Sequence, residues 1–147
     1  SLHDALPILQ HLFTPNALEK VTYFGPVAYS EVRKQIEKAT VCVFPTYAEA
    51  LPVSWLEAMA MEKAIVASNI GWGNEIVENG ISGFVAHPSN HQEYANKILQ
   101  LLDDTALRKS MELKAKERIS THFEINLIAN QNLAFYQKIV EQVKRAK

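Results

Sequence analysis

The spacing of apolar and polar residues changes along this chain, and each change marks an element. Val21-Thr22-Tyr23-Phe24 is β-rich and stops at the turn pair Gly25-Pro26, which predicts a short strand. Ser30 then stands as the cap of a helix through Val32, Ile36 and Ala39, with Glu31, Arg33, Lys34 and Glu37 on its outer side. Residues 40–44 read as a continuous apolar run halted by Pro45, the pattern of a strand covered on both faces. A helix over about 54–61 follows, then a strand at Ala64-Ile65-Val66-Ala67. Gly71-Trp72-Gly73 makes a loop, residues 74–78 a short helical turn, and Asn79-Gly80 another turn. Phe84-Val85-Ala86 is the last predicted strand, ended by Pro88.

Beyond Pro88 the period becomes helical. Asn90 precedes Glu93 by three residues, a start resembling a capping box, and Tyr94, Ile98, Leu101 and Leu102 form one apolar stripe. Leu107, Met111 and Ala115 form a second. Ile125, Ile128, Leu133, Tyr136, Ile139, Val140 and Val143 form a third, on a long terminal helix. Strands alternating with helices predict the α/β class: an open parallel sheet of about four strands, flanked by helices. No internal repeat, low-complexity stretch or linker interrupts it.

Composition narrows the picture mainly by exclusion. A chain of 147 residues fits one domain with a single core. A net charge of -1 with 48% hydrophobic residues offers no electrostatic case for a nucleic-acid partner. Cys42 is the only cysteine, so no intrachain disulfide forms, which is compatible with a reducing, cytoplasmic setting. No run approaches the ~20 apolar residues of a membrane span. Ser1-Leu2-His3-Asp4-Ala5-Leu6-Pro7-Ile8 matches, at every position, the in-frame translation of a common short-read sequencing adapter. Residues 1–8 are therefore set aside from fold reasoning, and the chain is expected to be the tail of a longer protein.

The chemistry concentrates between Tyr47 and Ala60. Open α/β sheets bind ligands beyond the carboxyl ends of their strands, where helix amino termini present free N–H groups. The loop from Tyr47 to Ser54 lies at such an end. Backbone N–H groups at Val53 and Ser54, opening a helix, suit a phosphate held at the helix dipole. A carboxylate accepts two hydrogen bonds from a vicinal diol. Glu57, one turn into the helix, is placed for a ribose, and Glu49, upstream in the loop, for a sugar carried on the phosphate. Two plainer readings stand beside these. Ser54-x-x-Glu57 is also a capping box, and Glu49 alone is a solvated loop residue.

The complete string Glu49-Ala50-Leu51-Pro52-Val53-Ser54-Trp55-Leu56-Glu57-Ala58-Met59-Ala60 resembles the donor-binding signature of the retaining GT-B glycosyltransferases of family four, the glycosyl transferases group 1. Ile65-Val66-Ala67-Ser68, Gly71 to Gly80 and Ser82-Gly83-Phe84-Val85 extend the likeness, which covers about Val21 to the end of the chain. The resemblance implies a partial Rossmann-like sheet within the C-terminal half of a GT-B fold. Residues 9–147 would then be part of a nucleotide-sugar-binding domain, holding the third to sixth strands of the order 3-2-1-4-5-6. It implies transfer of a hexosyl group, with retention, from a UDP- or GDP-sugar to a glycan or lipid acceptor engaged through a separate amino-terminal domain.

By the same resemblance Glu49 is the catalytic-site carboxylate that contacts the donor sugar, and Glu57 holds the ribose. Ala50, Leu51, Val53 and Ser54 complete the donor site, with the N–H groups of Val53 and Ser54 on the distal phosphate. Phe24 and Gly25 lie near the base. No cofactor and no metal are expected; the only aspartates are Asp4, Asp103 and Asp104, so no Asp-x-Asp pair exists. Two departures stand out. Pro52 occupies a position often glycine, which removes one N–H, and Met61-Glu62-Lys63-Ala64 replaces a stretch that commonly carries glycine and proline. The family's basic pair before this region has no counterpart except Lys20.

Two further readings share this scaffold: a nucleotide-sugar epimerase, and a non-catalytic nucleotide-binding or interaction domain. His87 and His91 are separated by Pro88, which spoils their alignment as metal ligands. Trp72 reads first as a packing residue and second as a stacking platform for a base or sugar. Lys138, Lys144, Arg145 and Lys147 form a basic terminal face, read first as solvated surface and second as a peripheral contact for an anionic membrane.

Overall fold

A computed structural model describes residues 13–145. The adapter-like residues 1–8 lie outside that range. The chain divides into two units, Ser1–Gln35 and Ile36–Lys147. The described part of the first begins with a short helix, α1 (Pro15–Leu18), whose start follows from sequence. Pro15 takes the first helical position and the Thr14 hydroxyl accepts from the Ala17 N–H at 3.4 Å.

The predicted strand over 21–24 does not form. These residues are irregular, and the Val21 N–H is already given to the Leu18 carbonyl in the turn that ends α1. β-propensity describes side chains that suit a pleated surface; without a neighbouring ladder it makes no strand. The sheet therefore has three strands among the described residues, not four. Helix α2 (Tyr29–Lys38) also starts earlier than its sequence suggests. Ser30 lies inside its first turn, and the Glu31 N–H bonds the Ala28 carbonyl.

The second unit is the α/β body. Strands β1 (Val41–Phe44), β2 (Ala64–Ser68) and β3 (Phe84–Ala86) pair in parallel in the order β1-β2-β3. Val41 faces Ala64 across the first ladder and Val66 faces Phe84 across the second. Between β1 and β2 runs α3 (Val53–Ala60); between β2 and β3 runs the single turn α4 (Gly73–Ile76). The chain closes with α5 (His91–Asp103), α6 (Thr105–Arg118), a π-helical turn (Ile119–Phe123) and α7 (Ile125–Arg145).

The two-residue period of a strand sorts the core into two layers. Ile65 and Ala67 of β2 point to a cluster with Cys42, Val85, Trp55, Met59 and Ile76. Ala64 and Val66 point the other way, to Phe84, Tyr94, Leu101 and Met111. β2 is buried along its whole length. β1 is not: it borders the sheet, and Val43 is 39% exposed, so the expectation of a strand covered on both faces fails there. The stripes of α5 and α6 pack as predicted through Tyr94, Leu101, Met111 and Ala115, although Leu102 turns outward. The stripe of α7 is solvent-exposed from Ile125 to Val143.

Candidate functional site

The site is built where β1 ends. Three donors converge on the Phe44 carbonyl: the Tyr94 hydroxyl at 2.9 Å, the Ser68 hydroxyl at 3.2 Å and the Thr46 N–H at 3.0 Å. They fix the direction in which the chain leaves the sheet after Pro45. Burial pushes the Tyr94 phenol above its ordinary pKa, and a hydrogen bond with Ser68 partly offsets this; the group remains a neutral donor.

The loop from residue 45 re-enters helix at Pro52, which is buried and occupies the N-cap with φ −76° and ψ 91°. The Pro52 carbonyl accepts from the Trp55 N–H at 3.0 Å and the Leu56 N–H at 3.4 Å. Ser54 is thus the second helical residue, not the cap, and no side chain caps α3. The capping-box reading of Ser54 and Glu57 falls, because its reciprocal bonds need Ser54 outside the helix. The N–H groups of Val53 and Ser54 have no acceptor among the described residues. Both residues are exposed, at the positive end of the helix dipole. Glu57, one turn further and on the same side, is half-buried, as is Glu49; Ala50 and Leu51 are exposed.

A second loop, following β2, braces the first. Gly71 adopts φ +59°, and its backbone lies so close to the Glu49 carbonyl that a Cβ would overlap it. Gly73 approaches the Ser68 carbonyl as tightly and lies under the Trp55 indole. Trp55 is fully buried and tilts against Phe44 with ring centroids 6.0 Å apart. The carboxyl end of α4 is held from α6: Arg118 donates to the Ile76 carbonyl at 2.6 Å and to the Glu75 carbonyl at 2.5 Å. These contacts leave a cavity of about 420 Å³ lined by Ala50, Leu51, Trp72, Glu75, Ile76 and Phe123.

Glu49, Ala50, Leu51, Val53, Ser54 and Glu57 therefore share one braced segment beyond the carboxyl end of β1. Phe24 and Gly25 belong to the first unit, where Phe24 is exposed and Gly25 takes φ +65°. Trp72 does not pack, contrary to its first reading: it is 55% exposed at the amino end of α4. Sequence reasoning passed over Tyr94, Ser68 and Arg118 as positioning residues. Gly71 alone left a signal, as a glycine between a strand and a helix. Among the described residues no three His, Cys, Asp or Glu side chains gather as metal ligands, and His87 engages Ser89 at 2.6 Å. None of the described helices is long and apolar enough to cross a membrane.

The chain is 32% identical over 123 residues to an N,N'-diacetylbacillosaminyl-diphospho-undecaprenol alpha-1,3-N-acetylgalactosaminyltransferase of Campylobacter jejuni, covering 84% of this chain and 32% of that protein. It is 28% identical over 136 residues to the alpha-D-kanosaminyltransferase of Streptomyces kanamyceticus, covering 92% of this chain and 35% of that protein. This chain thus spans about a third of the length of these relatives. Among solved structures, Anabaena HepE in complex with UDP superposes with a TM-score of 0.83 at 26% identity, covering 92% of this chain and 37% of that one. The sucrose-phosphate synthase of Thermosynechococcus elongatus gives a TM-score of 0.82 at 25% identity, covering 95% of this chain and 34% of that one. Residues 14–118 match the family described as Glycosyl transferases group 1. With that match spanning most of its length, the chain belongs to the glycosyl transferases group 1 family.

Proposed function

We propose that this chain forms the donor side of a retaining GT-B glycosyltransferase that moves a hexosyl group from a UDP- or GDP-sugar. The observation that carries the reading is the start of α3: two N–H groups, at Val53 and Ser54, without an acceptor among the described residues, and the Glu57 carboxylate one turn beyond. A diphosphate and a ribose are what such a pair recognises, the first through charge and dipole, the second through its vicinal hydroxyls. Glu49 reaches the transferred sugar, with Ala50 and Leu51 beside it, and Phe24 and Gly25 serve the base.

During transfer the bond from the anomeric carbon to the diphosphate breaks, and its electron pair leaves with the phosphate. The Val53 and Ser54 N–H groups meet the charge growing there without having to reorient. The acceptor hydroxyl then bonds the anomeric carbon on the same face and gives its proton to the departing phosphate oxygen. Residues 9–147 act within a C-terminal donor domain, and the acceptor, a glycan or lipid, is held on a second domain. The setting is cytoplasmic, with the basic end of α7 available for peripheral membrane contact. The binding half of this reading is tested by melting the chain with and without UDP, GDP and their sugars. A hundredfold excess over Kd should stabilise it by about 2.7 kcal/mol. A melting temperature indifferent to every one of these nucleotides would sink the reading.

A further inference from the structure

Trp72 and Glu75 take no part in the phosphate and ribose contacts, yet both line the cavity that adjoins them. That cavity, about 420 Å³, falls within the ~300–1,000 Å³ typical of small-ligand sites. It shares Ala50 and Leu51 with the donor segment, the two residues before Pro52, the N-cap of α3. Its walls are apolar at Leu51, Trp72, Ile76 and Phe123, and Glu75 is its one charged residue among the described residues. The Glu75 carboxylate has no hydrogen bond or ion pair among the described residues. Gly71 and Gly73 pack closely against the Glu49 and Ser68 carbonyls on either side of Trp72, and Arg118 donates to the Glu75 carbonyl. Trp72, more than half exposed, offers a flat aromatic face.

We propose that Trp72 and Glu75 form the pyranose subsite of the donor pocket and select the sugar that the nucleotide carries. This rests on the donor-site reading and deepens it. A pyranose has one ligand chemistry that matches both residues. Its C–H face lies flat on an indole, and its hydroxyl rim donates to a carboxylate. An acyl chain would leave Glu75 unused, and the base already has its own residues, Phe24 and Gly25, in the donor-site reading. Stacking is closest when no axial hydroxyl stands on the face toward Trp72, so the subsite favours sugars with a clear C–H face.

The test titrates the chain with UDP, UDP-glucose, UDP-galactose, GDP and GDP-mannose, and reads the affinity of the tightest sugar nucleotide relative to its free nucleotide. Trp72→Ala should lower that ratio by about tenfold while the free nucleotide binds as before. Trp72→Phe, which keeps a flat ring, should restore most of it. Glu75→Gln should lower the ratio in the same direction. An unchanged ratio in Trp72→Ala, whether both ligands weaken together or neither does, overturns the subsite and leaves the donor site standing. A parent chain that binds none of the five overturns the donor-site reading, and the subsite with it.

Discussion

The start of α3 allows the proposed phosphate contact to be removed without touching the fold. Val53→Pro deletes one backbone N–H at the first helical position, where proline's fixed φ is already suited to helix. The residue before a proline must be extended, and Pro52 is, with ψ 91°. No intrachain hydrogen bond is lost, because the Val53 N–H has no acceptor among the described residues. The side chain is 57% exposed, so little buried area goes with it. Stability should stay within about 1 kcal/mol of the parent, since the stiffer unfolded chain contributes about 0.4–1 kcal/mol in its favour. A hydrogen bond to a charged phosphate is worth about 1.5–3 kcal/mol, so nucleotide affinity should fall about 10- to 100-fold. Val53→Ala, which trims the side chain and keeps the N–H, should bind as the parent does. Isothermal titration with UDP and GDP, beside a calorimetric melt, reads both quantities. Parent-like binding by Val53→Pro would refute the contact; equal losses in both variants would trace the effect to side-chain packing.

Glu57→Ala should weaken nucleotide-sugar binding about 10- to 100-fold, read beside urea unfolding so that any loss of stability is counted separately. Unchanged binding with a loss of stability would make Glu57 structural. Gly71→Ala and Gly80→Ala both place a side chain at positive φ, but only Gly71 meets backbone, at the Glu49 carbonyl. Denaturant midpoints should show Gly80→Ala costing about 1–2 kcal/mol and Gly71→Ala clearly more; equal costs would remove the brace between the two loops. Tyr94→Phe forfeits the 2.9 Å bond to Phe44 and should cost about 0.5–1.5 kcal/mol at neutral pH. Because the folded phenol holds its proton above the ordinary value of 10.0, its contribution is complete below that pH and declines as pH rises through the folded pKa. Unfolding curves from pH 8 to pH 11 should show that alkaline decline in the parent and its reduction in the variant.

Local pattern was a good guide wherever one element carries the whole signal. The apolar runs at 41–44 and 64–67 became strands, and Asn90 caps α5 through the Glu93 N–H at 3.3 Å, as its spacing predicts. The failures share a cause. Val21–Phe24 has strand composition, but a strand is a relation between two segments, and composition names only one. Ser54 looked like a cap because Ser-x-x-Glu is a local signature; Pro52 took the position two residues earlier with its fixed φ. Leu102 fitted the stripe of α5 by spacing yet turned outward, at the edge of what the sheet covers. The two glutamates were visible as a spaced pair, whereas the groups that hold the neighbouring loops were not. Tyr94 and Arg118 act through backbone carbonyls of distant residues, and a carbonyl has no letter in the sequence.

The carbonyl of Phe44 therefore has a meaning for how the protein is made. Its hydroxyl donors stand 24 and 50 residues further along the chain. A nascent chain that has just emerged through Ala60 already carries Glu49, Val53, Ser54 and Glu57, but nothing yet directs the loop that holds them. Closing loops of that length costs entropy that only the later packing of β2 and α5 offsets. An ordered loop after β1 is thus gained only once α5 has been made, and it is among the first features to go if α5 comes loose.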